Sequence, residues 1–132
     1  MDMPILSGTH YFNTEVVLET ENILASLGLE LRRGTIVLCV LSRLQAPMYG
    51  YSLITALANS GIQAEANTLY PLLRRLEGQG LLQSKWETGG SKPRKYYTAT
   101  PLGRHVYEAL KTQWNATVES VQTVLQEETH EQ

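Results

Sequence analysis

Hydrophobic residues recur at helical spacing through most of the chain. From Thr14 onward Val16, Val17, Ile23, Leu24 and Leu27 fall on a roughly common side, and Gly28 stands where such a helix would stop, so the pattern predicts a short amphipathic helix. A second helix is expected from near Arg32 to about Leu44, carried by the stripe Ile36, Val37, Val40, Leu41 and Leu44 and ended by Pro47. Tyr49 to about Asn59 predicts a third, with Leu53, Leu57 and Ile54 inward, before Ser60-Gly61 breaks the chain. The fourth runs from about Glu65 to Glu77, turns Leu69, Leu72, Leu73 and Leu76 inward, and leaves through Gly78 and Gly80. Two short helices joined by a small gap, after a longer one, make the trihelical arrangement of a helix-turn-helix domain.

The period then changes. Leu81 to Glu87 and Arg94 to Thr100 each predict a strand, and Thr88-Gly89-Gly90-Ser91-Lys92-Pro93 between them permits a tight reversal, which together make a two-stranded wing. Tyr96 and Tyr97 alternate across the second strand, so one faces the core and the other faces outward. Thr100 before Pro101 is a helix-start signal, because the threonine oxygen caps free amides and proline fits the first helical position. Helical spacing continues to about Glu127 through Tyr107, Leu110, Trp114, Thr117, Val121 and Val124, broadened by Val106, Val118 and Leu125. A helix of about 27 residues rises roughly 40 Å, longer than a small domain needs to cover it, and pairing with a second copy is the simplest destination for its stripe. Residues 1 to 13 show no clear period and read as an arm that packs only if something receives it.

The reading is therefore a mainly α fold with a small β wing: an N-terminal arm and short helix over 1–30, a winged helix-turn-helix over 31–100, and a C-terminal dimerisation helix and tail over 101–132. A chain of 132 residues has room for one small domain with an added helix and none for a second catalytic domain. With 42% hydrophobic and 18% charged residues it reads as folded, and no apolar run approaches the roughly 20 residues of a membrane span. The start, Met1-Asp2-Met3-Pro4, lacks the basic and apolar regions of a secretory signal, so a cytoplasmic protein is expected. Cys39 is the single cysteine and lies in an apolar stretch, where a buried small hydrophobe is expected and no internal disulfide can form. His10, His105 and His130 are scattered and form no metal-binding spacing with cysteine or carboxylate. The glycines at 78, 80, 89 and 90 lack the lysine-serine or lysine-threonine ending of a phosphate loop, so no catalysis and no cofactor is expected.

Charge says more by position than by sum. Eleven basic against thirteen acidic residues give a net charge of −2. Residues 1–60 carry three basic and five acidic side chains, 61–110 seven and four, and 111–132 one and four. All seven middle bases lie between Arg74 and Arg104, on the fourth helix, the wing and the start of the last helix. That local patch suits phosphate, while the acidic ends limit indiscriminate adhesion.

The block from Leu31 to Thr100 resembles the PadR-like family of winged-helix transcriptional regulators. The phrases that carry the likeness are Leu31-Arg32-Arg33-Gly34-Thr35, Tyr49-Gly50-Tyr51, Thr68-Leu69-Tyr70-Pro71-Leu72-Leu73-Arg74-Arg75-Leu76-Glu77 and Arg94-Lys95-Tyr96-Tyr97, in an order and spacing that cover over half the chain. The long final helix is similar to the dimerisation element of the shorter family members. The resemblance implies a homodimer that binds double-stranded DNA, each copy laying the helix around 65–78 in a major groove while the 88–93 wing reaches the backbone or minor groove.

On that reading Asn67, Thr68, Tyr70 and Arg74 stand nearest DNA, Asn67 as base reader and Tyr70 and Arg74 as backbone clamps. Tyr49 and Tyr51 flank the start of the supporting helix, Tyr51 offering a phosphate hydrogen bond, and Lys92, Arg94 and Lys95 serve the wing. Two departures from the family pattern bear on this. Glu65 stands at the helix start where a small polar cap is common, and Pro93 interrupts the basic run of the wing. The dimer interface is expected to draw on Val16, Ile23, Leu27, Tyr107, Leu110, Trp114, Thr117, Val121 and Val124. Trp114 lies at a place resembling one where short family members bring aromatics together between subunits, so Tyr107, Leu110, Trp114 and Val118, with residues from the 16–27 helix, are the candidate site for an apolar or aromatic effector, the alternative being that Trp114 is interface core. The function implied is a sequence-specific transcriptional repressor. A non-catalytic winged-helix adaptor, binding another protein through its apolar termini, remains as the alternative.

Overall fold

The computed structural model describes residues 9–130, with side chains from 14 to 127. The elements in order are α1 (Thr9–Arg43), β1 (Met48–Tyr49), α2 (Gly50–Asn59), α3 (Ala66–Gly78), β2 (Leu82–Glu87), β3 (Arg94–Ala99) and α4 (Pro101–His130). The chain divides between Thr35 and Ile36 into two compact units. The fold is mainly helical with a small antiparallel sheet, as the hydrophobic periodicity predicts.

The core belongs to the second unit. Val40, Leu41 and Leu44 from the last turns of α1 meet Leu53 and Leu57 of α2 and Leu69, Leu73 and Leu76 of α3, all buried. Leu82, Tyr97 and Ala99 of the sheet close it from the other side. These leucines sit at the three- and four-residue spacings read from the sequence, and burying each contributes about 1.5–3 kcal/mol. The resulting trihelical head presents the outer face of α3 and the wing beside it.

The structure corrects the sequence reading at two places. The two helices expected before residue 45 are one, and Gly28 does not end it. Helix termination at a glycine requires the left-handed conformation, and among the described residues only Gly61 and Gly80 have positive φ. Gly28 instead stays in the helix with the Arg32 side chain running past it, where an added Cβ would lie 3.1 Å from a guanidinium nitrogen. Good helix formers from Leu29 to Arg33 carry the ladder onward at a cost of about 1 kcal/mol for the glycine. Backbone residues 9–13, read as part of an unpatterned arm, open this helix, and residues 1–8 lie outside the described residues.

The second correction concerns the wing, which has three strands in the order β1-β3-β2. β2 and β3 pair from Leu82↔Ala99 to Glu87↔Arg94, and β1 adds Met48↔Tyr97 and Tyr49↔Tyr96. A two-residue strand shows no period of its own. It forms because the chain leaving α1 is already tied to β3, where the Ala99 N–H donates to the Leu44 carbonyl at 2.7 Å.

Thr100 joins wing to α4 as its sequence suggests. The Gly103 N–H donates to the Thr100 hydroxyl oxygen at 3.0 Å, and the hydroxyl donates to the Gly80 carbonyl at 2.6 Å. Val106, Tyr107 and Leu110 pack against the core, whereas Trp114, Val121, Val124 and Leu125 further along α4 are exposed. In the first unit Val16, Val17, Leu18, Ile23, Leu24 and Leu27 of α1 are exposed as well. Among the described residues no helix is long and apolar enough to cross a membrane.

Candidate nucleic-acid interface

α3 begins where Glu65, in extended conformation, gives its carbonyl to the Thr68 and Leu69 N–H groups at 2.9 and 2.8 Å. Its side chain makes no capping bond. A carboxylate at a helix N-terminus is nonetheless favourable to the dipole, so the departure from a small polar cap leaves the helix start where the sequence placed it. With Leu69, Leu73 and Leu76 buried, geometry turns Asn67, Thr68, Pro71, Arg74 and Arg75 outward, all exposed. The helix runs through Pro71, which has no N–H to give the Asn67 carbonyl.

Between α3, the start of α2 and the wing lies a groove of about 400 Å³ lined by Tyr49, Gly50, Tyr51, Tyr70, Arg74, Trp86, Arg94, Lys95 and Tyr97. Six of the nine residues nominated from sequence therefore meet around one hollow: Tyr49, Tyr51, Tyr70, Arg74, Arg94 and Lys95. Asn67 and Thr68 stand outside it on the exposed N-terminal turn of α3. Lys92 lies at the wing turn, in a separate hollow of about 340 Å³ shared with Glu87, Gly90, Ser91 and Arg94.

Close approach explains the glycine of the Tyr-Gly-Tyr phrase. The Tyr70 ring crosses the first turn of α2 so tightly that a Cβ on Gly50 would lie 2.5 Å from Tyr70 Cε1 and 2.9 Å from its hydroxyl oxygen. Gly50 thus makes room for the Tyr70 ring against the start of α2, beside the groove that Tyr70 lines. Tyr51, one residue on, is 75% exposed and unconstrained by such packing.

Tyr49 braces the wing. Its hydroxyl donates to the Glu87 carboxylate at the end of β2, its ring meets Tyr96 edge-on at 5.9 Å, and the Arg94 guanidinium lies 4.5 Å from its centroid. The hydrogen bond to Glu87 is the main cause holding the Tyr49 phenol above its ordinary value, aided by partial burial and the carboxylate charge and opposed by Arg94. Lys95 is also placed rather than free: its amine is 4.0 Å from Glu77, 5.4 Å from the Tyr97 ring and 5.8 Å from the Trp86 ring. Glu77 in turn accepts a hydrogen bond from Ser84 at 2.6 Å, so α3 and the wing share one polar seam. Of the two adjacent tyrosines, Tyr97 is the buried one and Tyr96 faces outward.

Sequence reasoning missed Trp86, which lines the groove and is 62% exposed. The signal was the alternation Leu82, Ser84, Trp86, which puts a large aromatic in the inward register beyond the point where leucines fill the core. The effector candidates assemble less fully. Tyr107 and Leu110 pack on the core, Val118 is half-buried and Trp114 is 42% exposed. Cys39 is half-buried, and burial pushes its thiol up against the opposing influence of Arg43. Among the described residues no group of three or more His, Cys, Asp or Glu could hold a metal ion.

The chain resembles known proteins over these same elements. A structure of a PadR family transcriptional regulator from Eggerthella lenta is 53% identical, with a TM-score of 0.78, covering 82% of this chain and 96% of that one. The transcriptional regulator Rv3488 of Mycobacterium tuberculosis is 40% identical over 57 residues, 43% of this chain, and the match spans about half (53%) of that protein's length. Bacillus subtilis PadR, whose structure was solved in complex with operator DNA, shares the fold at 21% identity and a TM-score of 0.54, over 58% of this chain and 45% of that one. The model of the transcriptional regulator PadR-like family matches residues 37–109, from the core-forming turns of α1 through the wing into α4. A match over more than half the chain, on the elements that build the groove, makes this protein a member of the PadR-like family of winged-helix transcriptional regulators.

Proposed function

We propose that the protein is a homodimeric, sequence-specific DNA-binding regulator that represses transcription by occupying a pseudo-palindromic promoter site. The observation that carries this reading is the groove between α3 and the wing, where Arg74, Arg94 and Lys95 converge with exposed aromatic side chains. Cations there neutralise phosphate, while the exposed outer face of α3 has the dimensions to enter a major groove. Members of the family are non-enzymatic DNA-binding transcription factors, and the Bacillus subtilis protein of the same fold holds operator DNA.

In this reading Asn67 reads a base edge, Thr68 stands beside it, and Tyr51, Tyr70 and Arg74 clamp the backbone. Lys92, Arg94 and Lys95 serve the phosphates at the wing, and Tyr49 acts through the wing it braces. Two copies meet through the exposed apolar residues of α1, Val16, Ile23 and Leu27, and those of α4, Trp114, Val121 and Val124 with Thr117. Uncovered stripes of this kind on long helices are supported by burial against a second copy. Tyr107 and Leu110 contribute from the edge of the core. An apolar or aromatic effector held near Tyr107, Leu110, Trp114 and Val118 relieves repression by favouring dimers with a different spacing of the two reading heads.

The test is binding of the purified protein to the duplex upstream of its own coding sequence and to a scrambled duplex, over a salt series, with Arg74→Ala in parallel. Saturable preference for the upstream duplex that weakens with salt, and a shallower salt dependence in Arg74→Ala, is the expected result. Absence of binding to either duplex at low salt would refute the reading.

A further inference from the structure

The wing carries one large aromatic in an unexpected condition. In β2 the residues Leu82, Ser84 and Trp86 share a face, and across the register they stand opposite Ala99, Tyr97 and Lys95 of β3. This is the core-facing side of the sheet: Leu82 and Tyr97 are buried, and Ser84 bonds to Glu77 of α3. Trp86 continues the same face past the end of the core, and the described residues leave 62% of it exposed.

Exposure of a tryptophan in the inward register removes its packing reward without giving it a solvent role. What surrounds it is informative. Its ring lines the same groove as Tyr51, Tyr70 and Arg74, and the Lys95 amine stands 5.8 Å from its centroid. The two nearby carboxylates are engaged, Glu77 with Ser84 and Lys95 and Glu87 with Tyr49. A ligand fitting this wall has an apolar surface flanked by negative charge. The sugar–phosphate backbone of DNA answers to that description, since each deoxyribose offers a C–H face between two phosphates. In a duplex the base faces are stacked away, which leaves the sugar as the apolar surface within reach.

Position agrees with chemistry. With α3 in a major groove and the wing turn towards the adjacent minor groove, the strand dividing the two grooves runs through the hollow between them. We infer that Trp86 contacts DNA directly, its ring lying against a deoxyribose seated in the groove while Arg74 and Lys95 meet the flanking phosphates. This rests on the DNA-binding reading and adds to it a contact that is apolar, independent of sequence and insensitive to salt. Lys95, held loosely by Glu77 and by two ring faces, exchanges part of that environment for phosphate when the strand arrives.

The two kinds of contact separate experimentally. Affinities of the wild type, Trp86→Ala, Trp86→Phe and Arg74→Ala are measured on the upstream and scrambled duplexes over a salt series, beginning at low salt. Trp86→Ala is expected to weaken both duplexes by the same factor, roughly tenfold, with an unchanged slope of log affinity against log salt, because an apolar contact displaces no counterion. Trp86→Phe keeps most of the affinity, and Arg74→Ala, which removes one cation from each copy of the dimer, lowers the magnitude of the slope by about two. In a Trp114→Phe background, where Trp86 is the one remaining tryptophan of the sequence, the emission changes on saturation with duplex. Unaltered thermal unfolding of the Trp86 variants ties the effect to contact rather than folding. Wild-type affinity in Trp86→Ala, a loss confined to the upstream duplex, or an emission unaltered by saturating duplex in Trp114→Phe would each overturn the inference. If the wild type bound neither duplex, the DNA-binding reading itself would fall, and this inference with it.

Discussion

Replacing Gly103 by alanine tests how α4 is fixed to the winged head. A Cβ built there lies 2.0 Å from the Leu81 carbonyl oxygen and 3.0 Å from its carbon, with the Ala99 Cβ at 3.4 Å. Against an ordinary C···O approach of about 3.3 Å the overlap is roughly 1.3 Å, and the obstacle is backbone that cannot swing aside. The first turn of α4 must therefore move off the wing root. Three hydrogen bonds depend on that position: Thr100 N–H to the Leu81 carbonyl at 3.0 Å, the Thr100 hydroxyl to the Gly80 carbonyl, and Gly103 N–H to the Thr100 hydroxyl. At about 1 kcal/mol each their loss costs about 3 kcal/mol, and the better helix propensity of alanine returns about 1. The expected net destabilisation is about 2 kcal/mol, a fall of roughly 1 M in the urea midpoint followed by circular dichroism. Protein concentration must be held constant, because dimer stability varies with it. Gly34, in α1 with no atom within 4 Å of an added Cβ, is the reference, and Gly34→Ala should gain up to about 1 kcal/mol. Equal stabilisation by both substitutions would refute the close approach, and with it the account of how α4 is anchored.

Three further outcomes follow from the site. Gly50→Ala should push the Tyr70 ring from its seat; because the overlap falls on the far end of a side chain, stability should drop by only about 1 kcal/mol while DNA affinity falls several-fold, and unchanged affinity would remove Tyr70 from the interface. The Tyr49 phenol should titrate above 10.0, read as the tyrosinate absorbance missing from Tyr49→Phe, and Glu87→Gln should bring it back towards that value. Because its folded-state value is raised, the stability it lends is complete below pH 10.0 and is lost as pH rises through the raised value, so a Tyr49 that titrates at or below 10.0 contradicts the bond to Glu87. Val121→Glu combined with Val124→Glu, on the exposed stripe of α4, should shift the protein from dimer to monomer in sedimentation equilibrium, and an unaltered dimer would place the interface elsewhere.

What the sequence disclosed and what it withheld divide along physical lines. The core of α2 and α3 was legible because Leu53, Leu57, Leu69, Leu73 and Leu76 repeat at helical spacing and are buried. The start of α4 was legible because Thr100-Pro101 states its own capping chemistry. α1 was misread at Gly28, since glycine marks a helix end only by adopting positive φ, and whether it does so depends on the ladder around it. β1 escaped notice because two residues carry no period, and the pairing that makes them a strand lies almost 50 positions away at Tyr96 and Tyr97. Six of nine nominated residues line the groove because motif and charge mark polar side chains. Trp86 went unread for the opposite reason: an aromatic in a strand looks like core until the end of the core is known.

The net charge of −2 counts against DNA only if charge acts as a sum. At physiological ionic strength the screening length is about 8 Å, so a phosphate in the groove senses the side chains around it and little else. Glu119 and Glu127 lie along α4, and Glu119 is already about 27 Å of helix from Pro101, more than three screening lengths. The groove itself holds Arg74, Arg94 and Lys95. Two copies present six such cations, or eight with Lys92 of the wing turn, and if each neutralises one phosphate, log affinity should fall against log salt with a slope of about −5 to −7. An adaptor that carried this basic patch incidentally would show no such slope with DNA. A measured slope between about −5 and −7 by the counterion relation would mean that the cations of the groove and the wing turn carry the electrostatics of binding. A slope near zero would rule the groove out as the DNA seat whatever the affinity, because Arg74, Arg94 and Lys95 cannot meet phosphates without releasing counterions, and the salt-insensitive Trp86 contact is proposed only between those phosphates.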